Sequence, residues 1–212
     1  MLEDNVKTYD TLSIQPLKEL AFRYFIVKVL VSFYNKYSFN YHKEVYYMKR
    51  LKIEPAVTDA QILTITGLAK EIWQQHFTPI IGAEQVAYML ERFQSYSALK
   101  EQLGEGYEYF LLNLEGTPIG YSGIHQEDKT LFLSKIYIKK AHRGNGYSSQ
   151  VIDFYTSLCR ERGLSLIWLT CNKNNTNSIG AYEHMGFRKT RTQVADIGNG
   201  FVMDDYIMEK KL

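Results

Sequence analysis

Hydrophobic and polar positions alternate regularly from Met48 onward, and their periods predict helices and strands. A short strand is predicted at residues 51–54. A helix is predicted to begin at Thr58, because Thr58 and Gln61 have the spacing of a capping box. Apolar residues three and four positions apart predict the buried stripe of this helix, which consists of Ile62, Ile65, Ala69, Ile72 and Trp73.

The rest of the chain continues this alternation. We predict a second helix from about residue 83 to 94, a shorter one after Ser97, and an end to this helical part at Gly104 and Gly106. The further predicted elements are strands at 107–114, 119–124 and 131–138, a helix around 151–158 closed by Gly163, a buried strand at 164–171, a helix at 175–185, and two strands on either side of Gly198 and Gly200.

This order of elements predicts the fold class. Without the short stretch after Ser97 it is β-α-α-β-β-β-α-β-α-β-β, an antiparallel meander followed by alternating helix and strand. Such an order predicts an α/β (α+β) domain, with a mixed, largely antiparallel central sheet of about six to seven strands and helices on both faces.

Residues 1–47 differ from the remainder, since they contain eleven aromatic side chains. Apolar residues recur at helical spacing between Phe22 and Tyr37, which is typical of an amphipathic helix that covers the domain or pairs two subunits as a homodimer. In a second interpretation, Lys43-Glu44-Val45 can be encoded by AAGGAGGT, a bacterial ribosome-binding site, and translation starts at Met48. We expect an aromatic extension at 1–47 and the main domain at 48–212. The intact mass of the natively expressed protein distinguishes the two interpretations.

Composition and charge exclude several classes of partner. The 25 Lys and Arg against 23 Asp and Glu give a net charge of +2 without a block of like charge, so neither nucleic acid nor a membrane surface is an expected partner. The longest apolar stretch, residues 21–33, contains Arg23 and Lys28, which is atypical of a membrane span. Cys159 and Cys171 have neither the spacing nor the His neighbours of a metal site. We therefore expect a cytoplasmic protein without a metal.

A predicted strand ending near Ile138 passes through Arg143-Gly144-Asn145-Gly146 directly into a helix. Such a junction exposes free backbone N–H groups at the positive end of the helix dipole, and together these attract an anion. Two glycines also fit an ordinary tight turn. A P-loop is excluded because no Gly-Lys-Ser/Thr follows, and a dinucleotide-binding fold fits poorly because Ser149 stands where its fingerprint needs glycine or alanine.

The segment RGNGYS resembles the acetyl-CoA motif [QR]-x-x-G-x-[GA] of the GNAT superfamily of N-acetyltransferases, with Arg143, Gly146 and Ser148 at its fixed positions. Ser148 departs from the usual Gly or Ala but leaves its backbone N–H available. The resemblance implies that the N–H groups of residues 143–148 bind the pyrophosphate, and that the backbone of residues 136–138 pairs with the pantetheine arm like an extra strand. The residues so assigned are Ile136, Tyr137, Ile138, Arg143, Gly144, Asn145, Gly146, Tyr147 and Ser148.

A second segment, NNTNSIGAYEHMGF, is similar to the family pattern N-x-x-[AS]-I-x-x-Y-x-x-x-G-F. Asn175, Ser178 and Tyr182 are spaced i, i+3 and i+7, so they share one helix face. The resemblance implies that Asn175 and Ser178 bind the cofactor, and that Tyr182 is the catalytic residue near the thioester sulfur. The implied activity is transfer of an acetyl group from acetyl-CoA to a primary amine by direct attack. A non-catalytic acyl-CoA binder with the same fold is the alternative.

The resemblance leaves the general base and the acceptor open. Many relatives have a carboxylate on the strand before the loop, where this chain has Ser134 and Lys135, so ordered water, His125 or an acidic residue elsewhere are candidates. His76 and His142 are interpreted as surface or helix-end residues. Asp204 and Asp205 alternate along the last strand, so at most one of them faces a cleft, where it would attract a cationic amine. KIYIKK and the closing strand resemble polyamine acetyltransferases, while peptide N-termini, aminoglycosides and small amines stay open.

Overall fold

A computed structural model describes residues 50–212 of the chain. The predicted extension at residues 1–47, with its amphipathic helix, and the predicted start at Met48 lie outside the described residues. Within residues 50–212 no helix has the length and hydropathy that a membrane span requires.

Seven strands of the described chain form one mixed sheet. They are β1 (Lys52–Pro55), β2 (Tyr107–Leu114), β3 (Thr117–Glu127), β4 (Thr130–Ile138), β5 (Leu166–Asn172), β6 (Arg188–Gly198) and β7 (Phe201–Lys211). They lie in the order β1-β2-β3-β4-β5-β7-β6. All neighbours are antiparallel except β4 and β5, which are parallel. The predicted mixed, largely antiparallel sheet is confirmed.

Helices occupy the intervals between the strands. In residues 50–212 they are α1 (Asp59–His76), α2 (Thr78–Ile81), α3 (Ala83–Gln94), α4 (Tyr96–Gly104), a 3₁₀ turn (Lys140–His142), α5 (Tyr147–Glu161) and α6 (Thr176–His184). The helix α1 begins as predicted, because Thr58 Oγ1 accepts from Gln61 N at 3.3 Å and Gln61 Oε1 accepts from Thr58 N at 3.0 Å. Its predicted apolar stripe is buried.

Two of the helices between α1 and β2 differ from the prediction. The helix α2 was not predicted, because four residues are too few to show a helical period. The helix α4 begins at Tyr96 and not after Ser97, because Ser95 is its N-cap and Ser95 Oγ accepts a hydrogen bond from Ala98 N at 3.3 Å.

Helices cover both faces of the sheet. On one face α5 and α6 pack over a core that includes Leu133 and Val151. On the other face α1, α3 and α4 pack over a second core that includes Ile65 and Tyr121. The sheet is therefore the middle of three layers, and its ends and gaps are accessible only where a helix leaves it uncovered.

The two central strands separate soon after they meet. Residues 130–132 of β4 pair with residues 166–168 of β5. Beyond these residues β4 continues to Ile138 and β5 to Asn172, but the two strands no longer pair with each other. The edge of residues 133–138 that faces β5 therefore has no strand partner in the described chain. This is the splay that pairing with a cofactor arm requires.

A β-bulge lies where the two strands begin to separate. Gly123 of β3 is opposite Lys135 and Ile124 is opposite Leu133, so Ser134 has no residue opposite it. In a regular strand the side chains of residues 133 and 135 would share a face. The bulge instead leaves Leu133 in the core under α5 and turns Lys135 towards the face covered by α4.

The hairpin of β6 and β7 is held against α3. Tyr88 Oη donates to the carbonyl of Ile197 at 2.5 Å, and Gln85 Nε2 donates to that of Val202 at 3.0 Å. A Cβ at Gly198, whose φ is +92°, would lie 2.6 Å from Tyr88 Oη, so glycine is required here. This contact fixes one wall of the cleft described next.

Candidate active site

A cleft of about 1440 Å³ opens where β4 and β5 separate. Its walls come from the end of α1, β4, the loop after β4, α6 and the hairpin of β6 and β7. The predicted site residues that line it are Ile136, Tyr137, Ile138, Arg143, Gly144, Gly146, Tyr147, Ser148, Asn175, Ser178, Tyr182 and Asp205. The fold thus brings residues from three separate segments, 136–148, 175–182 and Asp205, to one cavity. Asn145 and Asp204 do not line it.

The loop between β4 and α5 presents a row of free backbone N–H groups. Gly144 and Gly146 have φ angles of +77° and +74°, a left-handed conformation that glycine adopts without the steric clash of a Cβ. In α5 the first N–H with a partner is that of Gln150, which donates to the carbonyl of Gly146 at 3.2 Å. Within the described chain the N–H groups of residues 144–149 donate to no protein atom, whereas that of Arg143, which was predicted to belong to this row, donates to the carbonyl of Lys140 at 3.2 Å. Such a row at a helix N-terminus binds phosphate.

Two side chains hold this loop from within. Asn145 Nδ2 donates to the carbonyls of His142 and Arg143, both at 3.1 Å. Arg143 Nε donates to the carbonyl of Ile138 at 2.8 Å, and Arg143 Nη1 lies 3.0 Å from His76 Nδ1. Burial and the charge of Arg143 lower the pKa of His76 below its ordinary 6.5, which favours the neutral imidazole that accepts from the guanidinium.

The strand residues 136–138 line the open edge of β4. The side chains of Ile136 and Ile138 pack on the core under α5, and that of Tyr137 packs among Trp73 and Phe77 in the other core, at 5.5 and 5.9 Å between ring centroids. Their backbone is what remains to face the gap. The Ile138 carbonyl is already used by Arg143, so an arm lying here would meet the other backbone groups.

The helix α6 carries the second predicted motif. It begins at Thr176, so Asn175 is its N-cap and not its first residue. The side chain of Asn175 is buried at the cleft wall near His76, whose pKa it raises against the larger effect of burial. Ser178 and Tyr182 follow on the same face and line the same cleft.

Tyr182 lies in an apolar part of the cleft. Its ring packs on Phe187 at 5.7 Å between centroids, and its hydroxyl has no hydrogen-bond partner in the described chain. Burial raises the pKa of Tyr182 well above its ordinary value of 10, and the neighbouring Cys171 and Tyr137 act in the same direction. The phenol is therefore protonated at physiological pH and has a free hydrogen to donate.

The two acidic residues of β7 have different surroundings. Asp204 forms an ion pair with Lys173 and lies outside the cleft. Asp205 is 5% exposed and lines the cleft, and its Oδ1 has no hydrogen-bond partner in the described chain. Burial raises the pKa of Asp205 from 3.8 to about 6. Only Asp205 is placed to meet a molecule in the cleft, as the alternation along the strand predicts.

The free N–H row, the unpaired edge of β4 and the size of the cleft fit a molecule with a pyrophosphate and an extended arm. The model of the Acetyltransferase (GNAT) family matches residues 68–187, more than half of the chain. The chain belongs to the GNAT family. It is therefore an acyltransferase that uses acetyl-CoA.

Similar sequences and structures agree with this GNAT assignment. An uncharacterized N-acetyltransferase in the pepI 3′ region of Lactobacillus delbrueckii subsp. lactis is 21% identical over 165 residues, which cover 74% of this chain and 95% of the relative. The PaiA N-acetyltransferase of Thermoplasma acidophilum, solved in complex with coenzyme A, has a TM-score of 0.64 at 17% identity over 77% of this chain and 99% of that one. A chimera of the spermidine N-acetyltransferase SpeG of Vibrio cholerae and hSSAT has a TM-score of 0.58 at 20% identity, over 76% of this chain and 95% of that one. At these identities the structural likeness shows the GNAT fold.

The lining of the GNAT cleft includes side chains that the sequence did not assign to it, among them His76, His142 and Lys135. His76 lies at a helix end, as interpreted, but it also lines the cleft, where its Nδ1 contacts Arg143. Lys135 is buried in the same wall. The alternation in LFLSKIYI does not reveal this, because it places residue 135 on the face of Leu133 until the bulge is known. By contrast, the candidate base His125 stacks on Tyr107 at 4.6 Å and does not line the cleft.

Proposed function

We propose that this GNAT enzyme transfers the acetyl group of acetyl-CoA to a primary amine by direct attack, without an acetylated enzyme as intermediate. The observation that carries the proposal is the row of six free N–H groups at residues 144–149, beside the unpaired edge of β4 and in one cleft with Tyr182 and Asp205. The acetyl thioester supplies the activated acyl group. In residues 50–212 no cluster of three or more His, Cys, Asp or Glu side chains is arranged to hold a metal ion.

The cofactor is assigned to residues on two sides of the gap. The N–H groups of the loop would hold the pyrophosphate, and the backbone of residues 136–138 would pair with the pantetheine arm. Asn175 and Ser178 would contact the arm from α6, which lies across the gap from β4. The side chains of Ile136 and Ile138 hold this edge in place through their packing on the core.

Tyr182 is the proposed acid at the leaving sulfur. A free thiol has a pKa of about 8.5, whereas that of the buried phenol is raised above 10. Complete transfer of the phenolic proton to the thiolate is therefore uphill. Donation of a hydrogen bond to the developing thiolate needs no such transfer, and the free hydroxyl of Tyr182 supports that role.

Asp205 is the proposed contact for the acceptor. The unpartnered carboxylate oxygen in the cleft suits the ammonium group of a cationic amine. An alkylamine with a pKa of about 10.4 is neutral in only about one molecule in 2500 at pH 7, a handicap of roughly 4.6 kcal/mol. The site must lower this through desolvation and a base. Suitable acceptors are a polyamine-like small molecule or a peptide N-terminus.

The proposal is tested by following release of free thiol from acetyl-CoA. The full chain is incubated with spermidine, an aminoglycoside, a simple alkylamine and a short peptide with a free N-terminus, and the acetylated product is identified by mass spectrometry. We expect amine-dependent thiol release, and calorimetric binding of acetyl-CoA without any amine. Failure to bind acetyl-CoA would remove the proposal, while binding without acetylation of any amine would refute the proposed acceptor class.

A further inference from the structure

Lys135 is a buried amine in the wall of the cleft. Only 5% of the residue is exposed. Its Nζ donates to Gln102 Oε1 at 2.7 Å and to Ser134 Oγ at 3.2 Å. The rings of Tyr107 and Tyr109 lie 5.5 and 5.1 Å from Nζ. A lysine is rarely buried so deeply without a partner of opposite charge.

No such partner is present in the described chain, since Lys135 forms no ion pair there. Titratable and charged groups on the surrounding elements include Glu101 of α4, Glu105 directly after α4, Tyr107 and Tyr109 of β2, His125 and Glu127 of β3, and Tyr137 of β4. Of these, Glu105 and Glu127 act on the phenol of Tyr107. Burial without a counter-charge favours the neutral amine, and it lowers the pKa of Lys135 from 10.5 to about 7.

The contacts of Nζ suit a neutral amine. A neutral amine has two N–H donors and one lone pair, whereas the ammonium has three donors. Two donors are used by Gln102 and Ser134. The remaining position is then the lone pair, and a lone pair at the wall of a cleft can accept a proton from a molecule inside it.

The position of Lys135 along β4 brings it to the reactive end of the cofactor. The phosphate-binding loop follows the end of β4, so an arm that pairs with residues 136–138 runs back along the strand from Ile138. The gap closes at Phe132, where β4 and β5 pair again. The acyl end of such an arm would therefore lie level with residues 134 and 135. The bulge at Ser134 turns the lysine towards the half of the cleft that holds Gln102 and Tyr107.

We propose that Lys135 Nζ is the base that takes the proton from the attacking amine. This rests on the proposed function. The amine nitrogen forms a bond to the thioester carbonyl carbon, the carbon–sulfur bond breaks, and its electron pair leaves with the sulfur. One proton passes from the amine nitrogen to Lys135 Nζ, and Tyr182 donates a hydrogen bond to the sulfur. The products are the amide and the coenzyme A thiolate, and Lys135 then releases its proton to water.

Two substitutions separate this role from a purely electrostatic one. Lys135→Arg keeps a positive charge but cannot act as a base near neutral pH, because the pKa of a guanidinium exceeds about 12. Lys135→Met keeps a side chain of similar length but has neither a positive charge nor a basic group. If Lys135 served to bind an anionic group of the acceptor, Lys135→Arg would keep activity. If it is the base, both variants lose activity alike.

The experiment is the pH profile of kcat/KM, measured by thiol release with the amine that the wild type acetylates best. Protonation of the free amine lowers kcat/KM as the pH falls, for any variant. For the wild type we expect kcat/KM to fall by a further factor of ten per pH unit below a pH of about 7, because Lys135 becomes protonated there. Both Lys135 variants should have a kcat lower by about 10²-fold or more, and their kcat/KM should not show the further decrease below pH 7. Lys129→Met, at an exposed lysine of the β3–β4 turn, is the matched control and should behave as the wild type. Calorimetry should show acetyl-CoA affinity within about threefold of wild type in all three variants.

A second measurement does not depend on turnover. Lysine side-chain carbons are labelled with ¹³C in the wild-type protein, the Lys135 signal is assigned by its loss in Lys135→Arg, and it is followed by NMR from pH 5 to 11. Titration below pH of about 8 supports the proposal. Titration at an ordinary lysine value overturns it, as does wild-type turnover in Lys135→Arg. If acetyl-CoA binds but no amine is acetylated, the acceptor class has failed, and the NMR titration still decides the state of Lys135.

Discussion

Asp205→Asn tests whether the buried carboxylate of the cleft binds the acceptor amine and at the same time destabilises the folded state. The pKa of Asp205 is raised in the folded state, from 3.8 to about 6. A group with a raised folded pKa stabilises the fold below the unfolded pKa, and this contribution is lost as the pH rises through the folded pKa. At neutral pH the ionised Asp205 therefore destabilises the fold, by an amount on the order of 3 kcal/mol at 1.36 kcal/mol per pKa unit.

Removal of this charge should stabilise the protein and impair it as an enzyme. We expect Asp205→Asn to raise Tm at pH 7 by several degrees, with the difference from wild type small near pH 4 and growing until pH of about 6. The KM for the amine should rise about tenfold or more, while the calorimetric affinity for acetyl-CoA stays unchanged. Asp204→Asn is the matched control, because Asp204 pairs with Lys173 outside the cleft. A Tm difference independent of pH, or an unchanged KM for the amine, would contradict this reasoning.

Three further substitutions test separate parts of the site and fold. Tyr182→Phe should lower kcat by about 10²-fold with little change in the KM for acetyl-CoA or in Tm, because the hydroxyl has no partner in the described chain to lose; unchanged turnover would exclude Tyr182 from the mechanism. Gly146→Ala should weaken the affinity for acetyl-CoA, measured by calorimetry, by at least about tenfold. Gly163→Ala is its control, because Gly163 also has a positive φ but lies at the other end of α5, and it should leave this affinity unchanged. Thr58→Ala should lower the free energy of unfolding, measured in urea, by about 1 kcal/mol through loss of the capping box with Gln61, without altering acetyl-CoA binding.

Much of the fold could be predicted from the sequence because its signals are local. The capping box at Thr58 and the apolar stripe through Ile65 depend on spacing within one helix, and the strand at 107–114 is bounded by glycine on one side and a turn on the other. The short helix α2 lacks enough residues for a period. The start of α4 was misplaced because Ser95 and Ser97 are both plausible caps by residue type, and only the Ser95 hydroxyl faces the N–H of Ala98.

The site was predictable only where its geometry is also local. The glycines of the loop and the spacing of Asn175, Ser178 and Tyr182 can be read from neighbouring positions along the chain. The burial of Lys135 depends on a bulge between β3 and β4 and on α4, which lies about thirty residues earlier in the chain. The pairing of His76 with Arg143 joins the end of α1 to a distant loop. Such contacts arise from packing between elements, which no local period records.

The short pairing between β4 and β5 makes the sheet depend on its ligand. Three residue pairs connect the two strands directly, and the backbone groups beyond them face an internal gap. An arm lying in that gap would supply hydrogen bonds that the polypeptide lacks, and ligand binding to the native state alone stabilises a protein by about 2.7 kcal/mol at a hundredfold excess over Kd. The supply of this cofactor would then influence how long the folded enzyme survives, as well as how fast it works.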